Sequence, residues 1–281
     1  MNRFAWCVLF VSLAASPAFA QQRPLVTEDP EPVGAGRVLI EAGADLAFDQ
    51  QYPVSGLKGT LFRLPTIGFS FGLSSIAELQ IDGGLHDVLS IKSRDPNAPL
   101  ASLVTPTGDS TSDFDDAVVG IKVRLLAETA STPAFGIRFA TRLPNASNES
   151  GLGLNTTDFM GSLLAAKTIE SIRVVGNFGV GILSDPTNGH RQNDVVTYGI
   201  SIARAMTSAA EVVAELNGRA SVRSGDAFPG TESRGLLKLG GRYTTGAFRV
   251  DGGVFFGTTT IDPTIGFTGG FTYVFNGFKV P

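Results

Sequence analysis

The sequence predicts an all-β fold: a closed antiparallel transmembrane β-barrel of about twelve strands. Three observations predict it. Apolar and polar residues alternate in segments of about ten residues, the connections between the segments alternate between short and long, and the chain begins with an export signal. A soluble sandwich has no reason to sort its connections by length.

The alternation is clearest over residues 172–182. Phe178 and Val180 represent the apolar parity, whereas Arg173 and Asn177 represent the other parity. Because side chains alternate across a strand, this segment has one apolar face and one polar or bare face. About ten residues are enough for a tilted strand to cross the hydrocarbon layer of a bilayer. A helix would need apolar residues at a different spacing, so the helical interpretation fails.

Eleven other segments show the pattern with varying clarity. In the second of them, Pro65 is expected to mark a bulge that resets the alternation. The sixth is apolar with a weak period, so its two faces stay unassigned. The predicted strands cover about 37–49, 60–73, 76–82, 115–126, 134–143, 157–168, 172–182, 194–204, 211–219, 234–243, 248–256 and 264–275.

The connections between these strands indicate an orientation in the membrane. Outer-membrane barrels have short periplasmic turns and longer external loops, and an even strand count places both termini in the periplasm. The last link, 258–263, is shorter than this rule expects. The tight links lie near 74–75, 129–132, 169–171, 207–208 and 245–246, and the longer ones near 50–59, 92–112, 144–156, 185–193 and 222–231.

The start of the chain reads as a secretory signal peptide over residues 1–20, because a positive start precedes an apolar run and a small-residue cleavage site. The Pro-rich, acidic stretch 21–36 is expected to be an extended periplasmic lead-in. The barrel is expected over 37–276, followed by a short tail over 277–281. A net charge of −4 argues against nucleic acid as a partner.

The alternation would also suit a soluble barrel with its apolar face inward. Export, the sorted connections and the many charges of both signs on the polar parity favour an apolar outer face in contact with lipid. The polar parity supplies the predicted lumen-lining residues: Glu41, Asp45, Glu78, Gln80, Asp82, Lys122, Arg124, Arg138, Arg142, Arg173, Asn177, Glu211, Glu215, Arg219, Arg234, Lys238, Arg242, Arg249 and Asp251.

These charges are not evenly distributed along the predicted barrel. The first and third strands offer carboxylates, and the fourth, fifth and seventh offer cations, so an acidic wall is expected beside a basic one. Two interpretations stay open at this point: salt bridges that fill a narrow lumen, or the lining of a selective pore.

Several short motifs are spread over most of the chain, at 27–30, 34–36 leading to Glu41, 78–80, 120–124, 143–144 and 176–179. Together they resemble the outer-membrane transporters named for the meta-pathway of phenol degradation. The resemblance implies a barrel in the outer membrane of a Gram-negative bacterium that passes small molecules, and it names no solute. The sequence departs from the usual pattern of outer-membrane barrels at its end, where Phe275 is followed by six further residues.

No arrangement of residues indicates catalysis, a metal site or a cofactor. His86 and His190 are not spaced as metal ligands, and no Gly-x-Ser-x-Gly motif is present. The sequence therefore predicts a passive or facilitated channel for an unknown small molecule, with lipid as its other partner. A structural or surface-contact barrel without transport is the alternative, and a barrel enzyme is the third. Dense charge pairing across the lumen would favour the alternative.

Overall fold

The computed structural model describes residues 23–280. The expected signal peptide, 1–20, lies outside the described residues. Within them, no helix has the length and apolar character needed to cross a membrane. The strands are β1 Arg37–Tyr52, β2 Leu57–Gly72, β3 Ala77–Gly84, β4 Asp87–Arg94, β5 Ser110–Asp113, β6 Val118–Leu126, β7 Ala134–Arg142, β8 Asp158–Ile169, β9 Ile172–Ser184, β10 Gln192–Ala205, β11 Ala210–Ser221, β12 Arg234–Thr245, β13 Phe248–Gly257 and β14 Ile265–Asn276.

The sheet closes on itself through β1, which pairs antiparallel with both β14 and β2. The second half of β2 pairs with β3 and its first half with β4, so β3 and β4 occupy one position in the wall. In the same way, β5 pairs with β4 and β6 pairs with β3, so β5 and β6 together occupy the next position in the wall. The fourteen strand segments therefore form twelve positions around the wall, which confirms the predicted closed antiparallel barrel of twelve strands.

The regular pairing of β1 with β2 is interrupted near Pro65. Gly43 pairs with Thr66 while Asp45 pairs with Arg63, so β2 has one residue more than β1 over this interval. This extra residue is a β-bulge, and it confirms the reset of the alternation predicted around Pro65. On the neighbouring position, the Leu85 N–H donates to the Pro65 oxygen between β3 and β4. The discontinuity is therefore shared by adjacent strands.

The lengths of the connections differ in part from the predicted ones. The link expected to be long at 50–59 has only four residues, 53–56, because β1 and β2 continue past the predicted ends. The turn at 127–133 is longer than predicted. The connections 95–109, 143–157 and 222–233 are long, as expected, and all lie at the same end of the barrel as 53–56.

The apolar parity faces outward, as the sequence predicts. Leu163 is 64% exposed and Phe178 is 60% exposed, whereas Glu78 and Lys122 are fully buried inside. The structure also assigns the faces of β8, which the sequence left open: Leu163 points outward and Leu164 inward. A chain with this distribution has a barrel whose interior is polar and whose outer surface is suited to lipid.

An arginine on the outer face tests this assignment. We expect Phe178→Arg to lower the free energy of unfolding in phospholipid vesicles by about 2–4 kcal/mol, because a charge at mid-bilayer depth loses its hydration. Urea titration followed by far-UV circular dichroism measures the change. Phe178→Leu is the matched control. Equal stability of the Arg and Leu variants in vesicles would contradict contact of this face with lipid.

Candidate functional site: the occupied lumen

The expected periplasmic lead-in is the main difference between sequence and structure. Residues 23–33, which we call the lumen segment, run through the inside of the barrel. Arg23 donates from Nη1 to Thr66 of β2 and from Nη2 to Thr268 of β14. The N–H groups of Val26 and Thr27 donate to Glu215 of β11. A segment that contacts such widely separated strands through their inward side chains must lie within the ring.

Three acidic residues of the lumen segment bind a strip of cations on the wall. The Arg173 guanidinium donates from Nη2 to Asp29 Oδ1 at 2.7 Å and from Nε to Asp29 Oδ2. Glu31 forms an ion pair with Arg124. Two parallel hydrogen bonds between Arg and a carboxylate fix orientation as well as contributing energy. The basic wall predicted from the sequence is therefore engaged by the segment.

Glu28 occupies the centre of this strip. Its Oε1 lies 3.2 Å from Arg138 Nε, and its Oε2 lies 3.4 Å from Lys122 Nζ. Gln80 donates from Nε2 to Glu28 Oε2 at 3.1 Å. Lys122 also lies 2.9 Å from Glu78, its direct partner across the β3–β6 pair. Because the cations are buried, each needs a carboxylate nearby to offset its desolvation.

Wall side chains also satisfy the backbone of the lumen segment. The Glu28 N–H donates to Asn177 Oδ1 at 2.6 Å, and Asn177 Nδ2 returns a hydrogen bond to the Glu28 oxygen at 2.7 Å. The Val33 N–H donates to Glu78 Oε2 at 2.6 Å. The Glu31 N–H finds its partner within the segment, at Asp29 Oδ1. The wall side chains supply the partners that the buried N–H groups of Glu28 and Val33 require.

Glycines on the wall allow the lumen segment to approach closely. A Cβ at Gly199 would lie 2.8 Å from Thr27 Oγ1, and just past the end of the segment a Cβ at Gly72 would lie within 2 Å of the Gly34 oxygen. The second contact is with backbone, so no side-chain rotation could relieve it. The glycines that share the polar parity in the sequence thus form part of the inner surface against which the segment packs.

The remaining predicted lumen residues fall into two groups. At the end with the short turns, Arg242 and Arg249 lie 2.7 Å and 3.7 Å from Glu211. Arg23 lies 3.5 Å from Asp251, and its N–H donates to Glu41. The end with the short turns is therefore closely paired.

Toward the long connections the pairing is looser. Arg142 still forms ion pairs with two carboxylates, those of Asp116 and Asp158. Asp82 lies 3.7 Å from Arg138. Arg219, Arg234, Lys238 and Asp45 line an open space inside the barrel rather than a filled one.

This open space, which we call the chamber, has a volume of about 590 Å³, and Val26, Thr27 and Glu28 form part of its lining. A second cavity of about 220 Å³ lies among the long connections. Gln50, Arg63, Arg219 and Arg234 line both cavities, so the two spaces are neighbours. The chamber consequently continues toward the long connections, and the lumen segment bounds it on the other side.

The acidic residues Glu28, Asp29 and Glu31 are the site residues that sequence reasoning missed. Glu28 and Asp29 belong to the motif at 27–30 that the sequence analysis singled out, and Glu31 follows it directly, but the absence of alternation placed all three outside the barrel. The signal that could have found them is the match between three carboxylates and a basic strip that the neighbouring strand offsets only in part.

Nothing in the described part of the chain forms a metal centre. No group of three or more His, Cys, Asp or Glu residues is arranged to hold a metal ion among residues 23–280. Over the same residues, no hydrogen bond or ion pair engages the imidazole of His86 or His190.

Solved structures, and not sequence relatives, show what this chain is similar to: no protein-family model and no curated protein matches it. Among solved structures, an outer membrane channel from Pseudomonas putida F1 is similar with a TM-score of 0.61 at 12% identity, covering 88% of this chain and 98% of that one. The NanC porin is similar with a TM-score of 0.52 at 6% identity, covering 84% of this chain and 98% of that one. At these identities, the likeness shows a shared barrel fold.

Removal of one anchoring carboxylate tests how the lumen segment is held. We expect Asp29→Asn to lower the free energy of unfolding by about 1–3 kcal/mol, because the variant removes the carboxylate that accepts two hydrogen bonds from Arg173. Asp49→Asn is the matched control, since its ion pair with Lys92 is exposed. Urea unfolding of both variants gives the comparison. Equal stabilities would show that the contact with Arg173 contributes nothing.

The turn at 127–133 provides a test of pH dependence. Burial alone would raise the pKa of Glu128, but hydrogen bonds from the Thr168 N–H and from Arg173 outweigh it and lower the pKa below its usual value. A carboxylate with a lowered pKa in the folded state stabilises the protein at neutral pH, and this contribution disappears as the pH falls through that pKa.

We therefore expect Glu128→Gln to flatten the loss of stability below about pH 5. Urea midpoints between pH 3 and pH 7 measure it. The Gln side chain keeps the shape of Glu, which separates charge from packing. Parallel pH profiles for the variant and the wild type would contradict the assigned role.

Proposed function

We propose that this protein is an outer-membrane channel for small molecules, closed in this structure by its lumen segment. The observation that carries the proposal is the chamber, which ends on a segment that belongs to no strand of the sheet. Residues 23–33 are held by side-chain contacts and not by strand pairing, so displacing them leaves the wall intact. A static filler would be expected to come from the wall itself.

Three further observations support this proposal. The outer face is apolar and the inner face is polar, as in a barrel that spans a bilayer. The start of the sequence resembles an export signal. The barrel has the fold of two outer-membrane channels or porins, and the sequence motifs resemble the phenol meta-pathway transporters. We place the protein in that family and in the outer membrane of a Gram-negative bacterium as part of the proposal.

A barrel without transport is the second candidate, because one specific observation favours it. Each acidic side chain of the lumen segment has a cationic partner on the wall. Such dense pairing would stabilise a permanently filled interior. Breaking one buried pair typically costs about 3–5 kcal/mol, so opening requires that the pairs be replaced by water or ions. The proposal assigns no catalytic role to the lumen.

A disulfide between the segment and the wall separates these two candidates. A Cβ at Gly199 would lie 3.5 Å from the Thr27 Cβ, which is at the short end of the spacing that a disulfide requires. The single Cys of the chain, Cys7, lies within the expected signal peptide. We expect the oxidised variant Thr27→Cys, Gly199→Cys to be closed in planar bilayers. Reduction should restore conductance to the level of Thr27→Cys alone.

The single variant Gly199→Cys controls for the added side chain on the wall. Triple neutralisation, Glu28→Gln with Asp29→Asn and Glu31→Gln, should raise the open fraction because the segment loses its anchors. No conductance in any of these variants, while heat-dependent gel mobility shows a folded barrel, would establish the second candidate.

A further inference from the structure

Arg219 is a cation of the chamber without a carboxylate partner. It donates from Nε to the Glu232 oxygen and from Nη2 to the Gly230 oxygen, each at 2.9 Å. No salt bridge reaches it from any residue of 23–280. Backbone oxygens offer partial charges only, and the carboxylates of Glu232 and Asp158 act on this guanidinium from beyond ion-pair distance, so they offset its positive charge only in part.

Arg234 lies directly opposite Arg219 in the β11–β12 pair. Like charges at directly opposed positions destabilise a sheet. The closest carboxylate to Arg234 is Asp262, whose Oδ1 is 3.9 Å from Nη1 and whose Oδ2 accepts from the Gly235 N–H and from Thr259. The two arginines therefore form a cationic pair at the boundary between the chamber and the second cavity.

Lys238 extends this cationic wall along β12. Its Nζ is 4.0 Å from Glu215 Oε2, and that oxygen already accepts from Asn217. Glu215 Oε1 accepts from the lumen segment. The carboxylate nearest to Lys238 is thus committed to other donors. Cations arranged in this way inside a low-dielectric wall raise the local concentration of anions.

The carboxylate of Asp45 also lines the chamber but does not cancel this wall. It lies on β1, opposite Arg63 in the β1–β2 register. Arg63 in turn lies 3.2 Å from Asp87 and 4.0 Å from Asp115, and Asp45 also attracts Lys238. Among the chamber residues of 23–280, the cation left without an ion pair is Arg219 on β11, opposite Arg234 on β12.

Another part of the chamber is apolar, which is unusual for the inner face of this barrel. Leu61 and Leu164 are almost completely buried, and Phe255 is 7% exposed. All three line the chamber. Apolar side chains that point into a lumen can stabilise the apolar body of a ligand by removing it from water.

The floor of the chamber offers one polar atom without a partner. Thr27 is 5% exposed, and its Oγ1 is buried without a hydrogen-bond partner. Buried hydroxyl groups are normally hydrogen-bonded, so this atom is available to a ligand that reaches the lumen segment.

We propose that the chamber is a binding site for organic anions with an apolar body, such as aromatic carboxylates. The carboxylate bridges Arg219 and Arg234 and relieves their repulsion, and the apolar body lies against Leu61, Leu164 and Phe255. A volume of about 590 Å³ is in the range of pockets that hold ligands of this size. The inference rests on the proposed function, because it names the class of solute that the channel admits.

Equilibrium binding of 2-naphthoate to the full mature chain in a non-ionic detergent tests this site, with protein-free micelles as the blank. We expect 2-naphthoate to bind at least tenfold more tightly than the neutral 2-naphthalenemethanol. The double variant Arg219→Gln, Arg234→Gln should weaken 2-naphthoate roughly ten- to a hundredfold, because two charge-assisted hydrogen bonds are lost. Lys92→Gln, which removes an exposed charge outside the chamber, should leave binding unchanged.

A second readout does not depend on the ligand. High salt should raise the urea midpoint of the wild type more than that of Arg219→Gln, because salt screens a repulsion between opposed arginines that the variant no longer has. An equal effect of salt on both proteins would overturn the cationic pair.

Competition experiments test the ligand class. Sodium acetate should compete weakly, because it has the charge without the apolar body. Competition by acetate as strong as that by 2-naphthoate, or equal binding of the neutral alcohol, would overturn the proposed ligand class.

Bilayer conductance separates this inference from the proposed function. Charge-dependent binding of 2-naphthoate without conductance in any variant would contradict the channel and leave the site standing. Conductance in the reduced cysteine variant without charge-dependent binding would overturn the site and leave the channel standing.

Discussion

The interior of this barrel depends on one electrostatic constraint: cations buried in the lumen must be neutralised. Lys122, Arg124, Arg138 and Arg173 form a basic strip on the inner wall, and burial makes each of them costly without a counter-charge. The neighbouring acidic strand offsets only part of that cost, through Glu78 and Asp82. The lumen segment supplies the remaining carboxylates. Its path through the barrel follows from the positions of these charges.

The same constraint divides the lumen into two halves with different properties. Where the lumen segment lies, acid and base are matched residue by residue, and the glycines of the wall bring the backbones close. The chamber begins at Val26, Thr27 and Glu28, which form part of its lining, and on its far side the matching of charges is incomplete. Arg219 and Arg234 are then left facing each other. An excess of positive charge beside an apolar surface is a property of the open half alone.

Alternation along single strands could predict the wall, because a strand exposed to lipid on one side and to the lumen on the other must alternate. Phe178 and Asn177 show this in consecutive residues. Even the bulge near Pro65 was visible as a break in parity. The path of residues 23–33 could not be predicted in this way, because an extended segment bound by its neighbours on many strands carries no period of its own. Its carboxylates form ion pairs with Arg124, Arg138 and Arg173, which lie about a hundred residues away in the sequence.

The chamber was beyond sequence reasoning for a related reason. Leu61 and Leu164 share their faces with polar residues, and only the closed ring shows that they point toward the same space. The faces of β8 had no clear period because apolar side chains lie on both sides of it. Closure of the barrel, a property of the whole chain, gives these residues their common location.

The position of Arg23 has a consequence for how the barrel assembles. It donates to Thr66 on β2 and to Thr268 on β14, so it contacts the two strands that flank β1. The β1–β14 pair joins the first strand of the barrel to the last, and it forms only when both ends of the chain meet. The lumen segment is attached directly to β1 and cannot reach its full set of partners before that seam exists. Insertion of the segment is therefore complete only after the seam has formed, when Arg23 links the two strands that flank β1.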